Sequence, residues 1–162
     1  MASGKRETIL TFIAEPTSAN FAGNVHGGSV MKWLDHAGYA CAAGWSGRYC
    51  VTASVGGIRF IKPIHVGNLV RVSAKVIYTG TSSMHVMLDV SATDPRDDDY
   101  QSTTRCIMVF VAMGDDKKPT AVQPWIAETD NDKALADAAV RLMNSNRAIQ
   151  QDTRPAIDAD YE

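Results

Sequence analysis

Long apolar runs are missing from this 162-residue chain. None reaches the roughly 20 residues that a bilayer-spanning helix needs, and the amino terminus lacks the charged segment and apolar core of a secretory signal. The sequence therefore predicts a cytoplasmic protein with no membrane partner. Cysteine is scarce as well: Cys41, Cys50 and Cys106 are odd in number, far apart and without C-x-x-C spacing, which argues against a disulfide framework. Cys41 has no histidine three or four residues away and reads as a core residue, not a nucleophile. His26, His36, His65 and His85 form no H-x-x-x-H or Cys/His cluster, so no metal is expected. Surplus basic charge is also absent, with 16 Lys and Arg against 18 Asp and Glu. That balance excludes the electrostatic footprint of nucleic-acid binding.

What the chain does contain is one unusual stretch, Asn24 to Trp45. It starts as a loop with paired glycines and continues, from Val30, as a helix that is apolar or small on most faces. A helix of that kind is expected to be buried. Lys32, Asp35 and His36 interrupt it, and a carboxylate there is costly unless paired, hydrated or used. Its local alternative is an ion pair with Lys32 one turn earlier. Gly27 and Gly28 stand at the helix start, where unsatisfied N–H groups and the positive dipole end favour a developing oxyanion. At 1.5 Å per residue, Asp35 lies about 10 Å further along the axis. One chain cannot readily bring both to one reacting group; a dimer with antiparallel helices can.

The rest alternates as strands do. Glu7 to Ala14 reads as a first strand ended by Pro16. Ser46-Gly47 closes the helix with a glycine cap. Cys50 to Ile61 reads as a strand whose Gly56-Gly57 pair marks a bulge or a close approach. Leu69 to Tyr78 and Met84 to Thr93 form a hairpin, the first with Val70, Val72, Ala74, Val76 and Tyr78 on one face. Gln101 to Met113 is a further strand, and Pro119 to Ile126 is extended. Asp130 to about Asn144 carries helical spacing with Thr129 or Asp130 as cap, and Asn144 to Glu162 reads as a disordered polar tail. The expected partition is one domain over 1–128, followed by helix and tail over 129–162. The fold class is α+β, with a curved, mostly antiparallel sheet wrapped around one helix and its edges paired across a dimer.

These elements, and the runs F-A-G-N-V-H-G-G-S-V-M-K-W-L-D-H-A-G, C-V-T-A-S-V-G-G-I-R-F-I-K-P-I-H-V-G and Y-T-G-T-S-S-M, resemble the hotdog-fold acyl-CoA thioesterases. The resemblance covers roughly 8–124. It implies hydrolysis of an acyl-CoA thioester to free acid and coenzyme A, which is substrate and product, with no required cofactor. It also implies a homo-oligomer built from dimers, such as a trimer of dimers. Within it, Asn24 and Asp35 become the catalytic pair, drawn from different subunits. Asp35 serves as general base on water or, less simply, as nucleophile. Asn24 orients water or carbonyl; His26 stands in the same loop; Gly27 or Gly28 donates to the oxyanion; Thr52 or Ser54 places the water. Thr81, Ser82 and Ser83 resemble the phosphate-contacting turn, with Arg59, Lys62 and Lys117 as phosphate partners. Two other readings stay open: a hotdog hydratase or dehydratase on enoyl thioesters, and a non-catalytic module that binds acyl-CoA or nucleotide.

Overall fold

The computed structural model describes residues 4–160. Strand β1 (Glu7–Ile13) precedes helix α1 (Gly27–Ser46), followed by β2 (Tyr49–Phe60), β3 (Leu69–Thr79), β4 (Ser83–Thr93), β5 (Gln101–Met113) and helix α2 (Asp130–Asp160). The strands form one antiparallel sheet in the order β1-β3-β4-β5-β2.

Helix α1 begins where His26 turns its Nδ1 back to accept from the Gly28 N–H at 3.0 Å. It ends where Gly47 takes the left-handed conformation, φ 66°, and donates its N–H to Ala43 O. Val30, Leu34, Ala37, Gly38, Cys41, Ala42 and Trp45 pack on the concave face of the sheet. There they meet the even-numbered residues of β4 and β5, including Met84, Val86, Leu88, Met108 and Phe110. The approach is close at Gly38, where an added Cβ would stand 2.6 Å from the Phe110 ring. The expectation of a helix enclosed on most sides needs correction. Within one protomer the sheet covers one side only, and Met31, Lys32, His36 and Tyr39 are exposed beside it.

Two bulges re-aim side chains. A register shift between Val76 and Tyr78 pairs Tyr78 with His85, moving Tyr78 off the expected inner face to the outer one. A second, between Thr52 and Ser54, pairs Thr52 with inward Phe110 and Ser54 with outward Val109. The third irregularity follows Gly56, and Gly57 has φ 64°. Gly56 allows close approach as well: a Cβ there would lie 2.9 Å from Leu142 on α2.

Residues 119–126 run extended over the chain, with Trp45 Nε1 donating to Gln123 O at 3.0 Å and Val122 N to Thr81 O at 2.9 Å. Helix α2 starts on a cap, the Asp132 N–H donating to Thr129 Oγ1 at 3.1 Å. Its first turn is fixed by the Arg6–Asp132 ion pair at 2.6 Å. Where a disordered tail was expected from Asn144, the helix continues to Asp160; positions 161–162 lie outside the described residues. Polarity excludes a buried face but not helical backbone, and the Ala, Arg and Gln of this segment are good helix formers.

Candidate active site

The middle of α1 and the middle of β2 meet at the open edge of the sheet. Asp35 is half-buried, and Thr52 Oγ1 donates to its Oδ1 at 2.5 Å. The pair stands next to the exposed face of α1 and on β2, the edge strand of the sheet formed by the described residues. Ser54 is not brought to Asp35: the intervening bulge turns it to the opposite face of the sheet, where it lines a different cavity. Of the two hydroxyls named in the sequence, only Thr52 reaches the carboxylate.

The other half of the expected site gathers at the start of α1. Asn24 Oδ1 bonds to His65 Nδ1 at 2.8 Å, and the two residues also form a short β-bridge. His26 and Ser29 use up the entrance: Gly28 N–H donates to the His26 ring, and Ser29 N–H to His26 O. The Gly27 N–H, by contrast, has no hydrogen-bond partner among the described residues. Gly27 lines a cavity of about 260 Å³ together with Val30, Phe60, Lys62, Ile64 and Thr104.

One further residue belongs to this entrance. Asn20 Oδ1 accepts from the Ala22 and Asn24 N–H groups at 2.9 and 3.1 Å, and Asn20 N–H donates to Asn24 O at 2.6 Å. Its carboxamide oxygen is therefore spent on the backbone, which leaves the NH₂ as the group with which it can donate. In the sequence Asn20 carries no distinguishing signal, because an Asn in a polar loop ordinarily marks only a turn.

The basic and hydroxyl residues expected around coenzyme A divide between the two ends of the sheet. Thr81, Ser82 and Ser83 lie at the start of β4 near Val111, and Lys117 sits in the turn just beyond β5, with φ 60°. Arg59 pairs in register with Arg105 at the other end of β2, on the outer face, and Lys62 Nζ donates to Gln101 there at 3.2 Å. One chain does not bring the two groups together. No group of three or more His, Cys, Asp and Glu suited to a metal occurs among the described residues, and no helix there is long and apolar enough to cross a membrane.

The sequence and the fold are similar to those of known proteins. The family model of the thioesterase superfamily matches residues 22–98. The chain is 31% identical over 126 residues to protein VdlD of Helicobacter pylori, covering 78% of this chain and 72% of that one. It is 30% identical over 117 residues to acyl-CoA thioester hydrolase YciA of Salmonella typhimurium, covering 70% and 87%. It superposes on an acyl-CoA hydrolase of Staphylococcus aureus, solved with butyryl coenzyme A, coenzyme A and coenzyme A disulfide, with TM-score 0.86 and 26% identity over 99% of this chain and 98% of that one. That hydrolase is also known with an asparagine, an aspartate or a threonine replaced by alanine, with TM-scores of 0.88, 0.85 and 0.85. This chain thus belongs to the thioesterase superfamily, and its curved five-stranded antiparallel sheet is that of the hotdog-fold acyl-CoA hydrolases.

Proposed function

We propose that this protein is an acyl-CoA thioesterase, converting acyl-CoA and water to a free carboxylic acid and coenzyme A. The observation that carries the reading is the Asp35–Thr52 pair, a half-buried carboxylate held by a hydroxyl beside an unpaired sheet edge. Spacing supports it. In the S. aureus hydrolase the substituted aspartate follows the substituted asparagine by 15 residues and precedes the threonine by 17. Here Asp35 follows Asn20 by 15 and precedes Thr52 by 17. That spacing favours Asn20 over Asn24 as the amide partner, and leaves Asn24 to hold the loop through His65.

In this reaction Asp35 takes a proton from water as its oxygen attacks the thioester carbonyl carbon. The C–S bond breaks, and the proton passes to the departing thiolate. Thr52 fixes the carboxylate. The Gly27 N–H and the Asn20 NH₂ donate to the oxyanion, a role Gly28 cannot fill while its N–H is held by His26. Asp35 and Gly27 sit on different turns of one helix, so a second protomer supplies the complementary half. Pairing β2 with its symmetry mate would satisfy that edge and set the Tyr49 end of one strand against the Phe60 end of the other. It would likewise bring Thr81, Ser82, Ser83 and Lys117 of one chain towards Arg59 and Lys62 of the next, two groups suited to the pyrophosphate and 3′-phosphate. Assembly of such dimers into a hexamer agrees with the hexameric thioesterase of Yersinia pestis, which is 30% identical over 70% of this chain and 93% of that one, TM-score 0.66.

The test is thiol release from a panel of acyl-CoAs. Release from saturated acyl-CoAs is expected. A binding module would release none, and a hydratase would change enoyl absorbance without freeing thiol.

A further inference from the structure

A second cavity, of about 300 Å³, lies on the opposite side of the sheet from Asp35, closed by α2. Its walls are largely apolar, with Ile107 and Val109 on the sheet below and Leu142 and Met143 on α2 above. Its polar groups are Ser54, Ser83, His85, Asn146, Arg147 and Gln150. The helix that roofs it is held at a fixed height, because Gly56 lets Leu142 and Asn146 settle where any Cβ would stand within 3.0 Å of both.

His85 is the residue that needs explaining. It is 3% exposed, its ring stands edge-on to Tyr78 at 5.1 Å, and that ring makes no hydrogen bond among the described residues. No fully buried side-chain nitrogen or oxygen among the described residues lacks a partner, so a ring nitrogen left without one is reached by solvent and is open to a ligand in the cavity that His85 lines. Burial also pushes its pKa down, so it is a neutral ring offering one donor and one acceptor. Arg147 is the one cationic group lining the cavity, and it has no ion-pair partner among the described residues. One cation, a neutral imidazole and largely apolar walls in a small volume match a single negative charge on a short apolar body.

We propose that this outer cavity is a binding site for a short monocarboxylate, the carboxylate meeting Arg147 and the His85 ring and the alkyl chain lying along Ile107, Val109 and Leu142. The site stands apart from the Asp35 edge, and its occupant belongs to the same chemical class as the acid released by the proposed hydrolysis. An occupant would bridge the sheet and α2.

The experiment uses the full-length protein and sodium hexanoate, with hexanol and hexylammonium as isosteric controls. Ring resonances of His85 are followed by nitrogen-detected correlation spectra, and binding by calorimetry. Hexanoate is expected to shift the His85 ring saturably and to bind at least about tenfold tighter than hexanol, an advantage that Arg147→Leu removes. Met143→Trp, which fills the cavity and leaves both polar groups in place, is expected to abolish the shift. Saturating coenzyme A should leave it intact. No saturable response at His85, equal affinity for hexanol or hexylammonium, or full binding by Arg147→Leu would overturn the proposal. Because the readout is binding, loss of the thioesterase reading through absent thiol release would leave this result unaffected.

Discussion

Asp35 and Thr52 face one another from the middle of α1 and the middle of β2, the threonine hydroxyl donating to the carboxylate oxygen. Neither lies in the loop richest in turn residues; both are on rigid elements, one packed on the sheet and one paired along β5. Regular backbone fixes side chains more tightly than a loop does, and a general base needs that definition.

Replacing Asp35 by Ala should therefore lower kcat by about 10² to 10⁴ while leaving coenzyme A affinity within a few-fold. Stopped thiol-release assays and calorimetry check the two halves. Thr52→Ala should act more mildly, roughly tenfold on kcat, with Thr52→Ser restoring most of it, because a single hydrogen bond to a charged group is at stake. An unchanged kcat in Asp35→Ala would remove that residue from the reaction.

The entrance loop gives a sharper discrimination. Asn20→Ala should reduce kcat by about 10² to 10³, the typical cost of one oxyanion donor. Asn24→Ala, which frees His65 but leaves the Asn20 amide in place, should mainly lower stability. If the two chains share the site, mixing Asn20→Ala and Asp35→Ala subunits after dissociation should recover part of the activity. Verified mixed dimers that remain dead would argue for a site within one chain.

Gly38 sets the distance between α1 and the sheet. Gly38→Ala forces its Cβ to within 2.6 Å of the Phe110 ring, so repacking should cost about 1–3 kcal/mol. Thermal unfolding should show a midpoint lowered by several degrees. Gly38→Ala paired with Phe110→Leu should regain part of the loss.

Asp132 makes the attachment of α2 sensitive to acid. The Arg6 guanidinium, first, and the Thr129 cap hold its carboxyl below the ordinary value of 3.8. A depressed carboxyl pKa adds stability that is complete above the unfolded value and lost as pH falls through the folded one. Amide exchange in the first turns of α2 should therefore accelerate below about pH 4, and Asp132→Asn should give that acceleration at neutral pH. Protection that stays flat down to pH 2 would contradict the linkage.

Much of the fold could be read from residue order. Strand β5 has the bounds its Thr, Ile, Val and Phe content suggested, Gly47 caps α1, and Gly56 marks a close approach, made by Leu142. Two of the differences share one cause, single-residue bulges. Tyr78 and Ser54 change faces because one extra residue precedes each, and alternation in a sequence carries no sign of where a ladder skips. Asp35 stands out as a carboxylate in an apolar helix. Asn20 does not, because what sets it apart, two backbone amides that pin its oxygen, arises only in the folded loop. The exposed Met31 and Tyr39 show a different limit: composition tells that a surface will be covered without telling whether the cover comes from the same chain.

Helix α2 is anchored at its root by Arg6, braced midway where Leu142 meets Gly56, and bare beyond. Such a rod loses its parts in a fixed sequence. A protease should shave it from the distal end inwards, so cleavage near residue 150 would take only Gln150 from the rim of the outer cavity and leave Leu142, Met143 and Arg147, and the Asp35–Thr52 edge, in place.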